Sequence, residues 1–127
     1  RLLDQLRTKA DILIVDLHAE ATAEKQLLAR HLDGKVAAAL GTHTHVPTAD
    51  AQILPGGTAF QTDVGMCGPH SGVLGRQTEA VMRSARTGLT EPWPLAIGDL
   101  RLHGAIVELD QATGLATAIT PFSAREP

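Results

Sequence analysis

A chain of 127 residues with 43% apolar side chains can enclose one modest core, and with two Phe, one Trp and no Tyr that core has to be built from Ala, Val, Leu and Ile. A formal charge of −3 without a basic cluster argues against a protein that holds nucleic acid by its phosphate backbone, while leaving a small phosphate ester compatible. No apolar stretch approaches the ~20 residues of a membrane span, no signal-peptide pattern is present, and the single cysteine, Cys67, rules out an intrachain disulfide, which together fit a cytoplasmic protein.

The opening residues 1–7 (RLLDQLR) read as the end of an amphipathic helix, and without an initiator Met they suggest a fragment of a longer polypeptide. Residues 11–17 (DILIVDL) form a continuous apolar run of strand length, the pattern of a parallel strand covered on both faces. Thr22 is placed to cap a helix over residues 23–33, where Leu27, Leu28, His31 and Leu32 recur at three- and four-residue spacing, and Gly34 supplies a left-handed stop. A second short strand follows at residues 36–40, so the chain opens with a parallel, right-handed strand–helix–strand unit. Beyond it, residues 52–54 and 58–62 flank a Pro55-Gly56-Gly57 turn as a hairpin, and residues 65–75 form a loop with four glycines and one proline. A short helix is expected over residues 77–86, irregular chain around Trp93, and a terminal antiparallel hairpin of residues 102–109 and 115–119 with Gly114 at a positive φ.

The histidines fall at the strand ends. His18 follows the first strand, and His43 and His45, in the stretch GTHTHV, follow the second. Side chains just past the carboxyl ends of neighbouring parallel strands converge on one rim, where open α/β sheets place their sites. Imidazole is a common ligand for first-row metal ions, which polarise substrate oxygens and acidify bound water. In an extended segment His43 and His45 point to opposite faces, which suits two ions a few ångströms apart better than one ion chelated by both. His31, His70 and His103 lack such a setting and read as hydrogen-bonded or solvent-facing side chains.

Three stretches carry a resemblance: DLHAEATAEK (residues 16–25), LDGKVAAALGTHTHVPTAD (residues 32–50) and ILPGGTAFQTDVGMCGP (residues 53–69), with RTGL at residues 86–89 and the closing hairpin in support. The chain resembles the C-terminal half of the YmdB-like phosphodiesterases, in the calcineurin-like metallophosphoesterase superfamily. The resemblance implies an α/β fold, the C-terminal half of an αββα sandwich, with residues 1–127 forming part of a single metallophosphoesterase domain whose N-terminal half is absent. It further implies a dinuclear site of divalent or trivalent ions, manganese or iron with zinc as an alternative, that hydrolyses small phosphodiesters, notably cyclic nucleotides. By the same analogy His18 and His43 hold one ion and His45 the other. The family's carboxylate and Asn ligands, and the histidine that protonates the leaving oxygen, precede everything present here, so no catalytic residue is assigned in this chain and the chain alone is expected to be inactive. Glu20 and Asp63 are candidates to accept the second imidazole N–H of a ligating histidine, and the glycine-rich loop at residues 65–75 is a candidate to approach substrate or a plain connector. A missing half would leave apolar surface exposed, so a complement or self-association is expected. The alternatives are a relative of the capsule-synthesis metallophosphatases, a mononuclear zinc hydrolase using three histidines, and a non-catalytic interaction module.

Overall fold

The computed structural model describes residues 2–126. Its elements in chain order are α1 (Leu2–Arg7), β1 (Ile14–His18), α2 (Thr22–Leu32), β2 (Ala38–Thr42), β3 (Gln52–Ile53), β4 (Ala59–Gln61), β5 (Gly68–Pro69), α3 (Thr78–Thr87), β6 (Leu100–Leu109) and β7 (Ala116–Arg125). The described residues form two compact units, one from residues 2–65 and 104–122 and the other from residues 66–103 and 123–126. Among the described residues no helix is long and apolar enough to cross a membrane.

In the first unit a four-stranded sheet has the order β1-β2-β4-β3. β1 and β2 are parallel, with Ile14 opposite Ala38 and His18 opposite Thr42, as the strand–helix–strand pattern predicts. β4 runs parallel to β2 on its other side, and β3 closes the sheet antiparallel to β4, which is the expected hairpin. Period-two alternation decides what each residue of β2 buries. Ala39 joins Leu17, Phe60, Leu54 and the α2 residue Ala29 in one cluster, while Ala38 joins Ala59 and Ala116 in another, against Val107, Leu109 and Ile119. A strand covered on both faces between close layers has room only for small side chains, and residues 37–39 are all Ala and all buried.

Several expectations from the sequence are corrected by the fold. β1 lies at the sheet edge, so its apolar run is not covered on both faces: Ile14 is 63% exposed, and Asp16 and His18 are exposed beside it. Both strands lie further along the chain than their apolar runs suggest, which makes His18 the last residue of β1 rather than the residue after it. Thr22 is the first helical residue of α2, not its cap; Ala21 holds that position without a side-chain hydrogen bond. α2 buries Lys25, Ala29 and Leu32, at i, i+4 and i+7, and leaves Leu27 and Leu28 exposed, so the leucine stripe is not its packing face. Gly34 and Gly114 do adopt positive φ.

In the second unit β5 pairs antiparallel with the start of β6, Gly68 opposite Arg101, so the expected glycine-rich loop holds a short strand. α3 ends at Gly88, in the left-handed conformation, whose N–H donates to the Ser84 carbonyl. The residues around Trp93 are irregular as expected, with the indole N–H donating to Ser84 Oγ at 2.9 Å. β6 and β7 extend beyond the predicted hairpin boundaries. Of the expected N-terminal helix, Arg1 lies outside the described residues.

Candidate metal centre

Parallel pairing of β1, β2 and β4 brings three carboxyl ends to one rim, where His18 ends β1, His43 follows β2, and Asp63 follows β4 by two residues. His18 and His43 meet there. His43 Nδ1 lies 3.2 Å from His18 Nε2, and the rings contact edge to face with centroids 5.0 Å apart.

The donor–acceptor order along this cluster can be read from chemistry. The Thr42 hydroxyl donates its one proton to Asp16 Oδ1 at 2.7 Å, so toward His18 Nδ1, 3.0 Å away, it must accept. His18 therefore carries its proton on Nδ1 and presents a lone pair on Nε2, toward which His43 Nδ1 points its N–H. Asp16 thus sets the His18 tautomer through Thr42, the arrangement in which a ligating imidazole is held. Neither sequence candidate plays this part. Glu20 is exposed and bonds no imidazole, and Asp63 bonds Lys25 and main-chain amides instead. The signal for Asp16 was present in its spacing, because residues two apart on a strand, Asp16 and His18, share a face.

The GTHTHV segment is not extended. After Thr42 the chain bends, and His43 and His45 adopt φ of 111° and 66°. The opposite-facing argument therefore fails in its premise, although His45 does stand apart, joined to neither His18 nor His43 by a hydrogen bond or ring contact. Positive φ at a residue with a Cβ costs roughly 1–3 kcal/mol and persists only where the surroundings impose it. Asp63 is what imposes it. Its Oδ2 accepts the Thr44 N–H at 2.9 Å, between the two strained histidines, its Oδ1 accepts the Gly65 N–H, and its carbonyl accepts the Thr48 N–H. Burial pushes the Asp63 carboxyl up, but the Thr44 and Gly65 amides and Lys25 outweigh it and hold the group below its ordinary value. Lys25 was missed by sequence reasoning; its signal was its place on the Ala29–Leu32 face of α2.

Asp50 braces the same rim, accepting from the Thr62 N–H at 3.1 Å and from the Thr62 and Thr48 hydroxyls. Among the described residues no three His, Cys, Asp or Glu side chains are grouped to hold an ion, so His45 does not complete a three-histidine site with the other two. A cavity of about 670 Å³ lies at the opposite, amino-terminal ends of β1 and β2, lined by Arg7, Asp11, Lys35 and Thr113 among others, and includes none of the histidines.

Sheet, rim and hairpin together define a phosphatase-type α/β fold, and solved structures agree. The chain superposes over 98% of its length, at 38% identity and a TM-score of 0.88, on 45% of a novel phosphatase of Mycoplasma pneumoniae. It also matches 50% of a hypothetical protein from Thermus thermophilus, over 98% of its own length, at 43% identity and a TM-score of 0.89. The chain belongs to the YmdB-like protein family, whose model matches residues 1–122. It is 42% identical over 118 residues to the 2',3'-cyclic-nucleotide 2'-phosphodiesterase of Bacillus subtilis, a match covering 93% of this chain and 45% of that enzyme. The chain thus spans less than half the length of this curated relative.

Proposed function

We propose that this chain is the histidine-bearing part of a metal-dependent phosphodiesterase acting on small phosphodiesters such as cyclic nucleotides, with His18 and His43 serving one ion and His45 a second. The observation that carries this reading is the Asp16–Thr42–His18 relay, which leaves the His18 Nε2 lone pair on the rim, where an ion would take the place of the His43 N–H that it accepts at 3.2 Å. The donor set suits an ion as far as it goes: neutral imidazoles accept manganese, iron or zinc, but no carboxylate joins them, so the remaining ligands would come from outside the described residues. Ions bound there would neutralise the anionic ester and raise the fraction of hydroxide near neutral pH. The chain's own contribution is orientation. Asp16 and Thr42 hold the His18 tautomer, while Lys25 and Asp63 hold the bend that carries His43 and His45.

No side chain at this rim is assigned as the acid that protonates the leaving oxygen, a group worth roughly a hundredfold or more in rate. The isolated chain is therefore expected to bind at most one ion at this rim and not to turn over. Exposed Ile14 and Leu27, 63% and 71% accessible, support association with a complementary polypeptide or a second copy in the reducing cytoplasm. The test is calorimetric titration of Mn²⁺ into the chain and its His18→Ala, His43→Ala and His45→Ala variants, with hydrolysis of bis(p-nitrophenyl) phosphate measured alongside. Loss of Mn²⁺ binding in His18→Ala and His43→Ala is expected. Uptake indifferent to all three substitutions would refute the metal reading, and robust turnover by the monomer would show a complete site.

A further inference from the structure

The second unit contains another histidine pair, half-buried, and of the two settings the sequence leaves open for these residues, hydrogen-bonded or solvent-facing, His70 takes the first. His70 and His103 pack edge to face with ring centroids 4.7 Å apart. His70 Nε2 and His103 Nδ1 are buried atoms without a hydrogen-bond partner among the described residues. An orphaned buried polar atom costs about 1–3 kcal/mol, so two in adjacent rings call for a physical explanation. The chemistry of His70 narrows it. Its Nδ1 lies 2.9 Å from the Gly68 carbonyl oxygen, which can only accept, so Nδ1 carries the proton and Nε2 of the neutral ring holds a bare lone pair. An imidazole that donates one N–H to a main-chain carbonyl and turns its other nitrogen inward is arranged as metal-ligating histidines are.

We propose that His70 Nε2 and His103 Nδ1 form a second metal site, separate from the rim, that takes a borderline first-row divalent ion such as zinc. Imidazole nitrogens favour Zn²⁺, Ni²⁺ and Cu²⁺ over Mg²⁺ and Ca²⁺. Burial, then the neighbouring His70 and Arg101, push the His103 imidazole down. The positive charge of Arg101 would oppose an ion, but Asp99 engages it at 2.6 Å and also binds Arg125. Asp99 further anchors His70, accepting the His70 main-chain N–H on its carbonyl at 2.9 Å. Cys67 donates its thiol to the His103 carbonyl at 3.5 Å and so stands beside the pair, but no third His, Cys, Asp or Glu completes a ligand set among the described residues.

The test uses the 127-residue chain carrying His18→Ala, His43→Ala and His45→Ala, with folding checked by circular dichroism, and measures Zn²⁺ binding by calorimetry. One equivalent is expected to bind, with the affinity falling at least tenfold on adding either His70→Gln or His103→Gln. Because those substitutions alter partly buried positions, the unsubstituted chain is titrated in parallel with Co²⁺, and the ring-proton resonances of both His70 and His103 should broaden together. No Zn²⁺ binding by the triple variant, undiminished affinity in both glutamine variants, or broadening confined to His31 would each overturn the proposal.

Discussion

Lys25 Nζ and Asp63 Oδ2 lie 3.0 Å apart with both side chains fully buried, and this ion pair is the link between α2 and the bend that presents His43 and His45. Removing one partner of a buried pair leaves the other charge without compensation, at a cost of about 3–5 kcal/mol. Lys25→Ala is therefore expected to destabilise by that order, measured from urea midpoints, and to loosen Thr44, seen as faster amide hydrogen exchange there than in β2. Unchanged exchange at Thr44 would show that the bend holds without the pair.

Asp63 also gives stability a defined pH dependence. Its folded value lies below the ordinary 3.8, so in acid the unfolded chain takes up a proton that the folded chain refuses. Stability from this group is complete above its unfolded value and is lost as pH falls through the lower folded value. The urea midpoint of the native chain should thus fall on acidification below about pH 4, and Asp63→Asn should be less stable at neutral pH with a shallower acid decline. Asp50, which hydrogen bonds also hold low against its burial, adds in the same direction.

Thr42→Val removes the acceptor that fixes the His18 Nδ1 proton while keeping a β-branched side chain at the end of β2. Ion affinity at the rim should fall by about 10- to 100-fold, the usual effect of losing such an orienting partner. Thr42→Ser should restore it. Equal affinity in Thr42→Val would show that Asp16 and Thr42 do not govern His18.

Gly41→Ala should be among the most damaging single substitutions. A Cβ on Gly41 would stand 1.6 Å from the Thr62 carbonyl oxygen and 3.0 Å from Lys25 Cδ, a clash with backbone that rotamers cannot relieve. Since β2 and β4 would have to separate at the rim, about 3 kcal/mol or more of destabilisation is expected, read as a lowered melting temperature with disturbed amide shifts at Val64, whose N–H donates to the Gly41 carbonyl.

Local pattern suffices for part of this molecule. The apolar runs locate β1 and β2, a helix between them makes their pairing parallel, and the positions of His18 and His43 relative to those strands place both imidazoles on one rim, because side chains at parallel strand ends share a side of the sheet. The GTHTHV motif and its companions likewise suffice for the family. What the sequence leaves open depends on partners distant in the chain. Whether a strand is central or at an edge is a property of the sheet, so the similar apolar runs of β1 and β2 end up exposed on one face and buried on both, respectively. The burial of Lys25 in place of Leu27 follows from Asp63, 38 residues away, waiting beneath α2. The left-handed turns at His43 and His45 contradict the residues' own preferences and exist because Asp63 holds the Thr44 amide between them. The contact between His70 and His103, 33 positions apart in sequence, is likewise made by β5 pairing with β6, since neither residue's immediate neighbours foretell the other.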